Sequence, residues 1–113
     1  MPFIDSKITL KLTVKQKEEL KTELGKAISL LNKTESYLMV GISDGYDLFL
    51  AGNKLERGAF ISVQVFGDIN PSQSNKMTAE ICNIVSEKLN IPSDNVYVTY
   101  QGIHNWGWNG GNF

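Results

Sequence analysis

The stretch SLLNKTESYLMV at residues 29–40 recurs without a gap as EKLNIPSDNVYV at residues 87–98. Leu-Asn stands in the same place in both, and the last Val follows that Asn by eight residues. A helix end and a following strand that repeat in this way restrict the chain to two copies of one strand–helix–strand unit. In the first copy Ile8, Leu10 and Leu12 alternate with Lys7, Thr9 and Lys11, the period of a half-buried strand. Thr13 and Gln16 have capping-box spacing, and Leu20, Leu24, Ala27, Ile28 and Leu31 share one helical face. The strand YLMVGI, residues 37–42, follows.

In the second copy FISVQVF, residues 60–66, is the opening strand. Asn70-Pro71 with Gln73 starts a helix whose apolar face is Met77, Ile81, Ile84, Val85 and Leu89. VYVTY, residues 96–100, closes the unit. Between the copies, Gly45, Gly52 and Gly58 punctuate turns around one short strand. The tail IHNWGWNGGNF is too rich in Gly and Asn for a helix. Right-handed crossovers then give an α+β fold: a duplicated β-α-β unit in one domain over residues 1–113, its four-stranded sheet carrying both helices on one face. The bare face would hold Tyr97 with either Phe60 and Phe66 or the Ile61 series. That is more apolar surface than a monomer exposes, and it predicts an oligomer packed sheet to sheet.

Charge and cysteine content narrow the chemistry. Acidic and basic residues number 12 and 11, so no broad basic surface invites nucleic acid. The single Cys82 excludes an internal disulfide and a cysteine-based metal cluster, and its helical setting reads as a buried, inert thiol. No apolar run reaches membrane-spanning length and no secretory apolar region opens the chain. The expected location is therefore the cytoplasm, with export lacking a signal peptide also compatible.

The opening Met1-Pro2 is expected to lose Met1, because small second residues permit trimming, and Pro2 would then carry a free secondary amine. Pro2 begins the first strand, and the loop holding Lys33 precedes its parallel neighbour, so both lie at one sheet edge. If the second unit runs antiparallel, its opening strand ends at that edge and brings Phe66 there too. Desolvation and repulsion from Lys33 would both lower the amine pKa from its reference of roughly 8. A base tuned toward neutrality suits proton abstraction beside a carbonyl, and Lys33 would hold a carboxylate or oxyanion. On these residues alone the simpler readings lead: Pro2 as the mere start of the chain, and Lys33 as a charge favouring a helix C-terminus. Tyr97 and Trp108 taken singly are packing residues, and His104 is a solvated side chain without a role.

The whole chain resembles the macrophage migration inhibitory factor family of the tautomerase superfamily. The resemblance rests on Met1-Pro2, Lys33 followed by Tyr37, the pattern of Ser62, Gly67 and Ile69, VYVTY, and the closing Asn105-Trp106-Gly107-Trp108-Asn109 with Phe113. It implies a homotrimer with sites at the subunit interfaces and Pro2 as the base for keto–enol tautomerisation of phenylpyruvate-like 2-oxo acids and dopachrome analogues. Lys33 and the Phe66 backbone N–H match contacts to the substrate carboxylate. Tyr37, Tyr97, Trp106 and Trp108 match pocket residues, and Thr99 stands where a pocket Asn is common. No cofactor or metal is implied. The alternative the family offers is a cytokine-like ligand for a receptor. Gly58 and Ile61 replace the Cys-x-x-Cys of the family's thiol–disulfide activity, which should be missing. Tyr97 opens its strand, so it can reach only a neighbouring chain's proline.

Overall fold

A computed structural model describes residues 1–113. The strands are β1 (Pro2–Ile8), β2 (Met39–Ser43), β3 (Phe49–Leu50), β4 (Asn53–Lys54), β5 (Ala59–Phe66), β6 (Val96–Ile103), β7 (Gly107–Trp108) and β8 (Gly111–Asn112). The two helices are α1 (Val14–Ala27) and α2 (Pro71–Leu89). The main sheet runs β2-β1-β5-β6, parallel within each unit and antiparallel where β1 meets β5. The expected α+β architecture, with two helices over a four-stranded sheet, is what the chain forms.

Each helix begins where its cap is written. The Thr13 side chain accepts from the Gln16 N–H and the Gln16 side chain accepts from the Thr13 N–H, closing the box. Asn70 accepts from the Gln73 N–H, with Pro71 at a position whose own N–H needs no partner. At the other ends Asn32 and Asn90 adopt left-handed conformations, φ 61° and 55°, which stop the helical runs. The segment after each Asn forms a short 3₁₀ turn, Glu35–Tyr37 and Ser93–Asn95, before its strand. The sequence repeat is thus a structural repeat.

The core lies between sheet and helices. Ile4 and Ile8, Ile61, Val63 and Val65, and the helix stripes read from the sequence are all buried. The choice left open for β5 resolves by parity: Ile61, Val63 and Val65 face the helices, so Phe60, Ser62, Gln64 and Phe66 face away with exposed Tyr97. No helix is long and apolar enough to cross a membrane.

Four local expectations are revised. The first strand is Pro2–Ile8 rather than the Ile8–Leu12 alternation. Thr9 leaves the ladder because its hydroxyl donates to the Glu56 carbonyl and accepts from the Gly58 N–H, and Asp44 then takes the Leu12 N–H. Tyr37 belongs to the 3₁₀ turn, and β2 starts at Met39. The linker holds two short strands in a hairpin where one was expected. Finally β6 continues past Tyr100 to Ile103, because β5 pairs with it along its full length.

Ser6 is the buried polar side chain of this core, fully inaccessible, and its hydroxyl finds no protein partner. A buried hydroxyl without a hydrogen bond costs roughly 1–3 kcal/mol. Ser6→Ala should therefore raise stability by about 1 kcal/mol, read as a higher denaturation midpoint at unchanged m value.

Candidate active site

Three separate devices bring the site together at one end of the sheet. The ladder between β1 and β5 places Pro2 opposite Val65. One step further, the Phe66 N–H donates to the Met1 carbonyl at 2.9 Å, closing the ladder at the chain start. The left-handed turn at Asn32 releases the chain from the first helical run, so Lys33 emerges at the same edge, and its Nζ donates to the Phe66 carbonyl at 3.2 Å. Pro2, Lys33 and Phe66 therefore meet within one chain.

The electrostatics at that junction follow from its neighbours. The terminal amine, carried here by Met1, has its pKa lowered below the ordinary 8.0, first by desolvation and then by repulsion from the Lys33 ammonium. Pro2 itself is buried.

The tail supplies the third device. Asn109 and Gly110 both have positive φ, 51° and 84°, and join β7 to β8 as a two-residue hairpin of the primed type. Trp108 precedes this turn and Phe113 follows it, with the Phe113 N–H donating to the Trp106 carbonyl at 3.0 Å. Trp108 meets Tyr37 edge to face at 6.1 Å, and Phe113 packs against Phe66 at 5.3 Å. A cavity of about 650 Å³ results, with Pro2, Phe3, Tyr37, Gln64, Trp106 and Trp108 among its walls. An adjoining space of about 380 Å³ is bounded by Met1, Tyr37, Phe66, Trp108 and Phe113. No cluster of three His, Cys, Asp or Glu side chains is placed to hold a metal.

Tyr97 and Thr99 lie elsewhere. Pro2 and Val65 align with Gly102 on β6, five residues beyond Tyr97 and three beyond Thr99. At ~3.3 Å per residue the tyrosine starts about 16 Å along the sheet from Pro2. It is 59% exposed and lines a separate apolar hollow of about 100 Å³ with Phe49, Leu55 and Phe60. Phe3 and Gln64 were not among the residues singled out from sequence, and Phe113 was a mark of the resemblance without a place in the site. The Asn-Gly pair at 109–110 is the signal that would have found Phe113, since it predicts a hairpin that folds the tail back on Phe66.

Residues 1–113 match the family profile described as macrophage migration inhibitory factor (MIF). A macrophage migration inhibitory factor homolog of Trichinella spiralis is 26% identical over 115 aligned residues, covering 100% of both chains. Leishmania major MIF2 superposes at TM-score 0.93 with 28% identity, over 100% of this chain and 97% of that one. Pt0534, solved as inactivated by 2-oxo-3-pentynoate, shares the fold at TM-score 0.84 and 18% identity, over 96% and 93% of the two chains. With its family profile matched from first residue to last, this chain belongs to the macrophage migration inhibitory factor family.

Proposed function

We propose that this chain, after loss of Met1, is a keto–enol tautomerase for phenylpyruvate-like 2-oxo acids and dopachrome-like analogues, with Pro2 as general base. The observation that carries the reading is the hydrogen bond from the Phe66 N–H to the Met1 carbonyl, beside the Lys33 ammonium. Loss of Met1 would do two things at once. It would bare a ring-held secondary amine, and it would leave the Phe66 N–H free to bind an anionic oxygen next to a cation.

The chemistry then follows from placement. A substrate carboxylate takes the position of the Met1 carbonyl, on the Phe66 N–H and Lys33. The Pro2 nitrogen accepts the proton from the carbon beside the keto group, the C–H electron pair becomes the C=C bond, and the carbonyl π pair moves to oxygen. That oxygen takes a proton from water to give the enol, and Pro2 returns its proton to solvent; the same steps reversed give the keto form. Tyr37, Trp106 and Trp108 face the aromatic ring of the substrate. Inactivation of the fold relative Pt0534 by a 2-oxo acid derivative is in keeping with this substrate class.

Three copies complete the site. Tyr97 and Thr99 lie too far along β6 to join the cavity of their own chain, and the outer sheet face that holds them also exposes Met39 at 69%. In a homotrimer each cavity would combine Pro2 of one protomer with Tyr97 and Thr99 of its neighbour. A signalling reading rests on the name its relatives carry, and negligible turnover by the processed trimer would favour it.

Pro2→Gly still permits trimming but supplies a primary amine on a freer backbone. Its phenylpyruvate tautomerisation should fall ~10²–10⁴-fold while the trimer survives on size exclusion. An Ala inserted before Pro2 should abolish activity, since it restores a carbonyl on the Phe66 N–H. Wild-type turnover in either variant refutes Pro2 as base.

The sign of the pH dependence is fixed. The free base is the active form, and the desolvation and Lys33 repulsion that lower the Met1 amine would act on a Pro2 amine at the same junction, so kcat/KM should hold below pH 8 and decline as the pH falls further. Lys33→Met removes the repulsion, so the acid limb should move to higher pH, in step with an NMR titration of the amine.

Mixing supplies the test of the shared site. Pro2→Gly and Tyr97→Ala chains, each nearly inactive alone, should recover up to about a quarter of wild-type turnover when refolded together, the statistical share of intact interfaces. No recovery would place Tyr97 outside the site.

A further inference from the structure

The donor at Phe66 sits where β5 runs out of strand, and two glycines hold it there for different reasons. Gly67 needs its freedom of backbone: its φ is 98°, and nothing would obstruct a Cβ. Gly102 has no such conformation. It is a glycine for want of space, because a Cβ there would run into the Gly67 carbonyl oxygen and reach 3.3 Å from the Asp68 Cα. Both obstacles are backbone, so the turn itself would have to move. Contrast Gly25, where an added Cβ meets only the side chain of Glu35, whose end can swing away.

The turn is fastened to the end of β6 at three adjoining residues. Gly102 lies against it, the Gly67 N–H donates to the Ile103 carbonyl at 2.9 Å, and His104 pairs with Asp68 at 3.1 Å. The His104–Asp68 pair is exposed on both sides and contributes little. That leaves two contacts to seat the turn: the Gly67–Ile103 bond, made by the Phe66–Gly67 peptide, and the Gly102 contact, made to the Gly67 carbonyl of the next peptide. The carbonyl of the Phe66–Gly67 peptide receives Lys33, and the N–H of Phe66 belongs to the peptide before it, across the Phe66 Cα. After loss of Met1 no carbonyl ties the N–H from the other side.

We infer that Gly102 is a positioning residue for carboxylate recognition: its missing side chain seats the Phe66–Gly67 turn so that the Phe66 N–H and Lys33 address one anion. This rests on the proposed tautomerase reading only for the identity of the natural ligand. A methyl at residue 102 would push the Gly67 carbonyl away from β6 and turn the donor pair, while Pro2, held on β1 opposite Val65, stays in place. The effect should therefore separate anion binding from base strength.

The test uses the Met1-free trimer with phenylacetate, a carboxylate that has no keto group, and with its methyl ester as the uncharged probe. Gly102→Ala should weaken phenylacetate binding by about tenfold or more, the scale of one charge-assisted hydrogen bond. Ester binding and the NMR titration of the Pro2 amine should be unchanged. In turnover the same variant should raise KM for phenylpyruvate more than it lowers kcat. Gly67→Ala disturbs the same turn through its φ rather than through space and should show the same selective loss. It decides the matter if Gly102→Ala fails to fold. Equal loss for acid and ester, or wild-type affinity for phenylacetate, overturns the inference. Absence of phenylpyruvate turnover in the wild-type protein would instead remove the tautomerase reading, and the binding comparison would still stand.

Discussion

The antiparallel ladder between β1 and β5 has a two-fold axis through its middle, and what closes it at its two ends decides where chemistry is available. At one end the Thr9 N–H donates to the Gly58 carbonyl at 3.1 Å; at the other the Phe66 N–H donates to the Met1 carbonyl at 2.9 Å. The two bonds are equivalents under the internal duplication. Gly58 is anchored on both sides by covalent chain, so its bond is permanent. If Met1 is lost as proposed, the Phe66 N–H at the end of β5 loses its acceptor, and that distinguishes one end of this ladder from the other. Losing a hydrogen-bond partner leaves a donor in need of another.

The rest of the duplication shows the same asymmetry. The ladder registers align Phe3 with Met39 in the first unit and Phe60 with Tyr97 in the second, so Pro2 corresponds to Ala59. The sequence repeat matches Lys33 to Ile91 and Tyr37 to Asn95. Both units build a hollow at the mouth of their strand pair. The first is about 650 Å³, with Pro2, Phe3, Tyr37 and Met39 in its walls. The second is about 100 Å³ and holds their counterparts Ala59, Phe60, Asn95 and Tyr97. In the second unit the lysine has become a fully buried isoleucine, and the proline has become a buried alanine in mid-chain. One architecture thus carries a large cavity beside a cation and a small apolar hollow without one.

This division also explains what could be read from sequence. Helix starts at Thr13 and Asn70 and helix ends at Asn32 and Asn90 were legible because they depend on contacts within four residues. The meeting of Pro2, Lys33 and Phe66 was legible because parallel and antiparallel neighbours leave little choice of edge. The first strand was misplaced because Leu10 and Leu12 keep a period-two pattern outside the ladder. Leu12 is buried there by Asp44 and the linker, contacts too distant in sequence to anticipate. The hairpin of the tail was passed over as mere Gly and Asn richness, although Asn109-Gly110 states its geometry. Gly102 had no signal at all, since a glycine required by space looks like any other until its neighbour is in place.

Taken together, the constraints point to a site whose parts answer to different forces. Pro2 is held by the sheet ladder, Lys33 by a helix terminus, Trp108 by a hairpin, and the Phe66 N–H by the end of β5 before a turn seated on a glycine. Each is fixed by backbone contacts rather than by long side chains, so the side chains lose little freedom when a ligand arrives. Only Tyr97 and Thr99 must come from elsewhere, because a strand keeps them several residues from the rest. A cavity built from rigid pieces of one protomer and closed by another would gain its water-excluding wall on assembly. Excluding water would also disfavour the protonated form of the amine at that junction. On the proposed reading, assembly and base strength would then be the same physical event, seen once as surface burial and once as a pKa.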